Sequence, residues 1–156
     1  MSDFEIWTDG GCAPTNPGPG GYGIIIVDNV AQEKREIKQG FKESTNNRME
    51  LRAVIRALNE IPKEASVKLY TDSDYVVKHV NGTYKKKSNN HDLWKLLDEA
   101  MEGRNRDDID INWVKGEKKV KNLKDELHIN NYRCDRMVHE AREKEDTLII
   151  DEGYEH

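Results

Sequence analysis

At 156 residues the chain has the length of one domain and enough material for a real core. It is 35% hydrophobic and 35% charged, and no apolar run reaches the roughly 18 residues of a membrane span. The net charge of −5 argues against a nucleic-acid partner only until it is located: residues 143–156 carry six acids and one Lys, which leaves the rest near neutral. Basic clusters then stand out at Lys85–Lys87 and Lys115–Lys124, each of which reads equally well as a solvated face. The start, MSDFEIWTD, lacks the basic and apolar regions of a secretory signal, and Cys12 and Cys134 do not make a disulfide framework. The expectation is a protein of the reducing cytoplasm.

Phe4, Ile6 and Thr8 alternate with Glu5, Trp7 and Asp9, which predicts a strand. It breaks at Asp9 into GGCAPTNPGPGG, where glycine and proline allow close approach of backbone to a ligand. A carboxylate there suits metal or substrate binding, although taken alone it is more often a turn start. Tyr22–Val27 is a second strand and Lys34–Phe41 a third, completing an antiparallel meander. Leu51, Val54, Ile55, Leu58 and Ile61 then recur at helical spacing, with Asn46 or Asn47 as cap and Pro62 past the end. Glu50 falls in the first turn. Its spacing from Asn47 is that of a capping box, the alternative being a carboxylate turned toward the sheet.

Ser66–Asp72 is the next strand, and its Tyr70-Thr71-Asp72 echoes Trp7-Thr8-Asp9. With a helix between them the two strands are expected to pair in parallel. That brings Asp9 and Asp72 to one sheet edge, at the carboxyl ends where open α/β sheets place their sites. Asp74–Val80 and His91–Met101 are helices, Ile109–Val114 a strand, and Glu117–Asn130 a charged loop. Asn131–Arg142 is the last helix, with Cys134, Met137, Val138 and Ala141 as its stripe and Asp135 beside it. The tail from Glu143 is expected to pack loosely. Asp9, Glu50, Asp72 and Asp135 form a candidate set. Converging carboxylates repel, and hard cations such as Mg²⁺ resolve that repulsion.

The segments TDGGCAPTNPGPGGYG, TNNRMEL, YTDSDYV, HDLW, WVKG and RCD resemble, in this order, the motifs of ribonuclease H type 1. The likeness covers Phe4 to about Arg142, nearly the whole chain. It implies a ribonuclease H-like α/β fold, a five-stranded mixed sheet flanked by helices, with residues 1–142 as catalytic domain and 143–156 as an acidic tail. It implies a monomeric endoribonuclease that hydrolyses the RNA strand of RNA–DNA hybrids with two Mg²⁺ ions, or Mn²⁺, leaving 3′-hydroxyl and 5′-phosphate ends. Asp9, Glu50, Asp72 and Asp135 match the family's metal-binding acids. Gly10, Cys12, Asn46 and Glu50 match positions facing RNA 2′-hydroxyls, and Asn16 and Thr45 match positions near the DNA strand. Three departures stand out. Glu117 occupies the family's usual histidine position, in a loop that looks longer than usual, where His128 is a possible substitute. The basic protrusion before HDLW is short, with Lys85, Lys86 and Lys87 as its remnant. Asp74 replaces a common Gln and adds negative charge.

Overall fold

The computed structural model describes residues 1–81, 89–115 and 126–155. Five strands form one sheet: β1 (Phe4–Cys12), β2 (Gly18–Asp28), β3 (Glu33–Ser44), β4 (Val67–Thr71) and β5 (Ile109–Trp113). Their order is β3-β2-β1-β4-β5, with β1–β2 and β2–β3 antiparallel and β1–β4 and β4–β5 parallel. This is the ribonuclease H-like α/β arrangement expected from the sequence. The helices are α1 (Asn46–Asn59), α2 (Asp74–Val80), α3 (His91–Met101) and α4 (Glu126–Glu143). No helix among the described residues is long and apolar enough to cross a membrane.

Both sheet faces are covered, which is why Ile24, Ile25 and Ile26 are consecutive and all buried. Ile24 and Ile26 join Ile6, Leu69 and the apolar stripes of α1 and α3 in one core. Ile25 joins Trp7, Cys134 and Met137 on the α4 face. The parallel register pairs Trp7 with Tyr70 and Thr8 with Thr71, and the two aromatic rings stack at 5.0 Å. The echo between the two sequences is therefore a real juxtaposition of neighbouring strands.

Four local expectations are corrected. The first strand does not stop at Asp9: it leaves β4 after Thr8 but stays paired with β2 as far as Cys12. Gly20 and Gly21 on β2 continue that ladder, where the composition had suggested a turn. The cap of α1 is Thr45, whose hydroxyl accepts from the Arg48 amide, so Asn46 lies inside the helix and Glu50 begins its second turn. The last helix starts at Glu126, so His128 belongs to a helix and not to a loop. The acidic tail is packed. Ile149 bridges to β3 through hydrogen bonds with Gly40 and Lys42, and Asp151 is 3% exposed. Its physical reason is charge: two arginines of α1 hold the Asp151 carboxylate.

Candidate active site

Asp9 sits on β1 one residue beyond the last pair with β4, and Asp72 follows β4 directly. Glu50 comes from α1. A side chain at Gly10 would lie 2.5 Å from the Met49 carbonyl carbon, so the bare backbone of Gly10 is what lets β1 approach α1 this closely. Asn46 and Asn16 tie the same corner. Asn46 Oδ1 accepts from the Cys12 amide at 2.7 Å, and Asn16 Oδ1 accepts from the Asn46 amide at 3.0 Å. The helix start, the end of β1 and the following loop are thereby held as one unit.

Ligand atoms of Asp9, Glu50 and Asp72 all lie within 4.8 Å of one another. Asp9 and Glu50 are 6% and 8% exposed, and no ion pair among the described residues involves any of the three. Burial, then the charges of Asp72 and Asp135, push the Asp9 carboxyl well above its ordinary value. Burial also raises Glu50, with Asp9 and Asp72 adding to it. Asp72 is raised by burial and by Asp135, against hydrogen bonding with Asp9 and Glu50. Glu50 Oε2 is buried with no hydrogen-bond partner. An all-oxygen donor set, mutual repulsion and an orphaned buried acceptor together fit a hard divalent cation.

Asp135 reaches this place from α4, but it is half exposed and stands outside the tight group, acting on it through its charge. His128 sits in the first turn of α4, seven residues before Asp135, and is not part of the cluster. The neighbouring Leu127 carbonyl accepts from the Trp7 indole at 3.1 Å, which docks that turn on β1. Glu117, Lys85, Lys86 and Lys87 lie outside the described residues. Asn16, Thr45 and Asn46 line a cavity of about 680 Å³, shared with Asn90, His91 and Tyr154, at the start of α1 and not over the acids. Burial pushes the Cys12 thiol up to about 11, so it is neutral at physiological pH. Asp74 is ion-paired with Lys78 at 2.8 Å, which offsets the charge its substitution brings.

The family model for RNase H matches residues 1–143. A ribonuclease H from Pseudoalteromonas atlantica is 40% identical, over 99% of this chain and 99% of its own length. The chain belongs to the ribonuclease H family. A ribonuclease HI from Pasteurella multocida is 39% identical, over 99% of this chain and 98% of its own length. Among solved structures, LC11-RNase H1 in complex with an RNA/DNA hybrid superposes with a TM-score of 0.70 at 27% identity, covering 90% of this chain and 97% of that one. A ribonuclease H1 from the halophilic archaeon Halobacterium salinarum gives 0.66 at 26% identity, covering 88% and 96%. As a ribonuclease H the chain is a nuclease of the hydrolase class.

The structure adds two residues beside the site that sequence patterns had not singled out. His139 lies one helical turn past Asp135, its Nε2 3.7 Å from Asp135 Oδ2. Arg142 follows a turn later, its Nη2 2.6 Å from His139 Nδ1. The i, i+4 spacing of His139 from Asp135, an acid already suspected, and the i, i+3 spacing of Arg142 from His139 were the available signal.

Proposed function

We propose that the protein hydrolyses the RNA strand of RNA–DNA hybrids, using divalent cations held by Asp9, Glu50, Asp72 and Asp135. The observation that carries this is the buried cluster of Asp9, Glu50 and Asp72, with an unpartnered Glu50 oxygen. It stands in a chain whose relatives are ribonucleases H and whose structural likeness includes an enzyme bound to an RNA/DNA hybrid. Asp9, on β1, and Asp72, directly after the parallel neighbour β4, would be the central ligands, with Glu50 and half-exposed Asp135 completing the set that would hold the ions. Two Mg²⁺ ions, or Mn²⁺ in their place, would supply there the acidity that activates an attacking water and the charge that offsets the leaving oxygen. The four carboxylates repel the phosphodiester themselves and would position it only by fixing where those ions sit. Cleavage of the P–O3′ bond leaves a 3′-hydroxyl and a 5′-phosphate.

Gly10, Cys12 and Asn46 present backbone and side chain to RNA 2′-hydroxyls, the group by which a site distinguishes RNA from DNA. Asn16 and Thr45, in the adjoining cavity, face the DNA strand. Lys85, Lys86 and Lys87 contribute to backbone neutralisation. The candidates for assisting proton transfer are His128 and Glu117. A fall in kcat at constant KM for His128→Ala or Glu117→Gln retains the residue, and unchanged turnover removes it. The protein acts as a monomer of the reducing cytoplasm, a setting suited to the free thiols of Cys12 and Cys134.

The deciding experiment is a panel of labelled RNA–DNA hybrid, duplex DNA and duplex RNA, each with Mg²⁺ and with Mn²⁺. Cleavage of the RNA strand of the hybrid alone is expected. Preferential cutting of duplex DNA, or no cutting of the hybrid with either metal, overturns the assignment.

A further inference from the structure

Most arginines whose contacts are described here are neutralised by carboxylates. Arg48 pairs with Asp92 and Asp151, Arg52 with Asp151, Arg35 and Arg56 with Glu60, and Arg133 with Glu36 and Glu140. Arg104 and Arg106 donate to backbone carbonyls. Arg142 differs. Among the described residues no carboxylate pairs with it, and its guanidinium donates to His139 Nδ1 at 2.6 Å. A guanidinium only donates, so Nδ1 is the acceptor, and the contact orients Arg142 without bringing a carboxylate to it.

The place to which the charge is delivered is specific. Arg142 leaves the last turn of α4 half-buried, its stem lying across β2, where a side chain at Gly21 would meet its Cγ at 3.3 Å. Its tip reaches β1. A side chain at Gly11 would meet Arg142 Nη1 at 3.9 Å and Asn46 Oδ1 at 3.5 Å. The same positive charge acts on the Cys12 thiol, against the burial that pushes it up. Arg142 therefore places a cation between the two strand residues and the α1 residue already read as RNA contacts, in a site otherwise dominated by acids.

We propose that Arg142, oriented by His139, is a substrate-positioning residue that contacts a backbone phosphate of the bound hybrid at the Gly11–Asn46 corner. This rests on the hybrid-cleaving reading above. Its chemistry is the planar, permanently charged fork that suits phosphate, delivered beside a cluster of acids. It also answers how a chain of net charge −5 with a shortened basic protrusion neutralises the backbone near its acids.

The test compares wild type, Arg142→Gln and Arg142→Lys in two measurements. One is hybrid binding by fluorescence anisotropy without divalent metal, across a salt series. The other is steady-state cleavage with Mg²⁺. For Arg142→Gln, Kd and KM are expected to rise about tenfold, the loss of one charge-assisted contact. The slope of log Kd against log salt should become shallower by about one, kcat should stay within about twofold, and Arg142→Lys should recover part of the loss. An unchanged Kd and salt slope for Arg142→Gln overturns the proposal and leaves Arg142 as a helix-terminal cation, whose loss moves only the melting temperature. Absence of cleavage by the wild type refutes the functional reading instead, while the binding series still decides Arg142.

Discussion

Replacing Asp151 by Ala tests whether the acidic tail is part of the folded body. The Asp151 carboxylate is fully buried and accepts from Arg48 Nε at 2.8 Å, Arg48 Nη2 at 3.1 Å, Arg52 Nε at 2.7 Å and Ser44 Oγ at 2.5 Å. Removing one partner of a buried ion pair costs about 3–5 kcal/mol, because the other charge is stranded. Here the stranding is partial. Arg48 keeps the bidentate pair with Asp92 at 2.9 and 2.7 Å, and Arg52 keeps the Glu152 carbonyl at 2.7 Å. The lower bound of about 3 kcal/mol applies, which at about 2–4 °C per kcal/mol for a chain of this size is a fall of about 6–12 °C in Tm. The pH dependence has a definite sign. Burial pushes Asp151 up, but hydrogen bonds from Arg48 and Ser44 and the Arg52 charge outweigh it, and its pKa is lowered on folding. Its stabilisation is therefore present above the unfolded carboxylate value near 3.9 and is lost as pH falls through the folded one. Thermal melts of wild type and Asp151→Ala from neutral pH into acid should converge as pH falls. A loss under about 1 kcal/mol at neutral pH, or a constant gap across the acid range, would refute a buried ionic anchor.

Asp9→Asn should reduce hybrid cleavage by at least about a hundredfold, since a shared ligand supplies several kcal/mol of transition-state stabilisation. In metal-free buffer the same variant should melt higher than wild type. The raised Asp9, Glu50 and Asp72 groups destabilise the fold as pH rises through their folded values, and adding Mg²⁺ should raise the wild-type Tm more than the variant's. A wild-type Tm indifferent to Mg²⁺ up to millimolar concentration would count against the metal site. Gly10→Ala puts a methyl 2.5–2.7 Å from the Met49 and Glu50 backbone. It should cost about 1–3 kcal/mol in denaturant melts and lower kcat by moving Asp9 from Glu50, whereas wild-type stability and turnover would disprove the close approach.

The sequence by itself determined the order of elements and the parity of the strands, because those follow from local periodicity. The Trp7-Thr8-Asp9 and Tyr70-Thr71-Asp72 repeat, joined through one helix, was enough to predict parallel neighbours, and it named two of the three clustered acids. From its local spacing alone Glu50 was legible as a choice between a capping box and an inward carboxylate. Tertiary structure decided it: Thr45 takes the cap, and Gly10 lets β1 come close enough to make Glu50 a partner of Asp9. Composition misread Gly20, Gly21 and the tail for the same reason. Glycine and acid runs look like loops until a ladder partner or a pair of arginines about a hundred residues away is supplied. The Asp151 anchor and the placement of Arg142 beside Gly11 both depend on which distant group lies opposite. No window of sequence contains that information, since only packing of α1, α4 and the tail against the sheet brings those groups together.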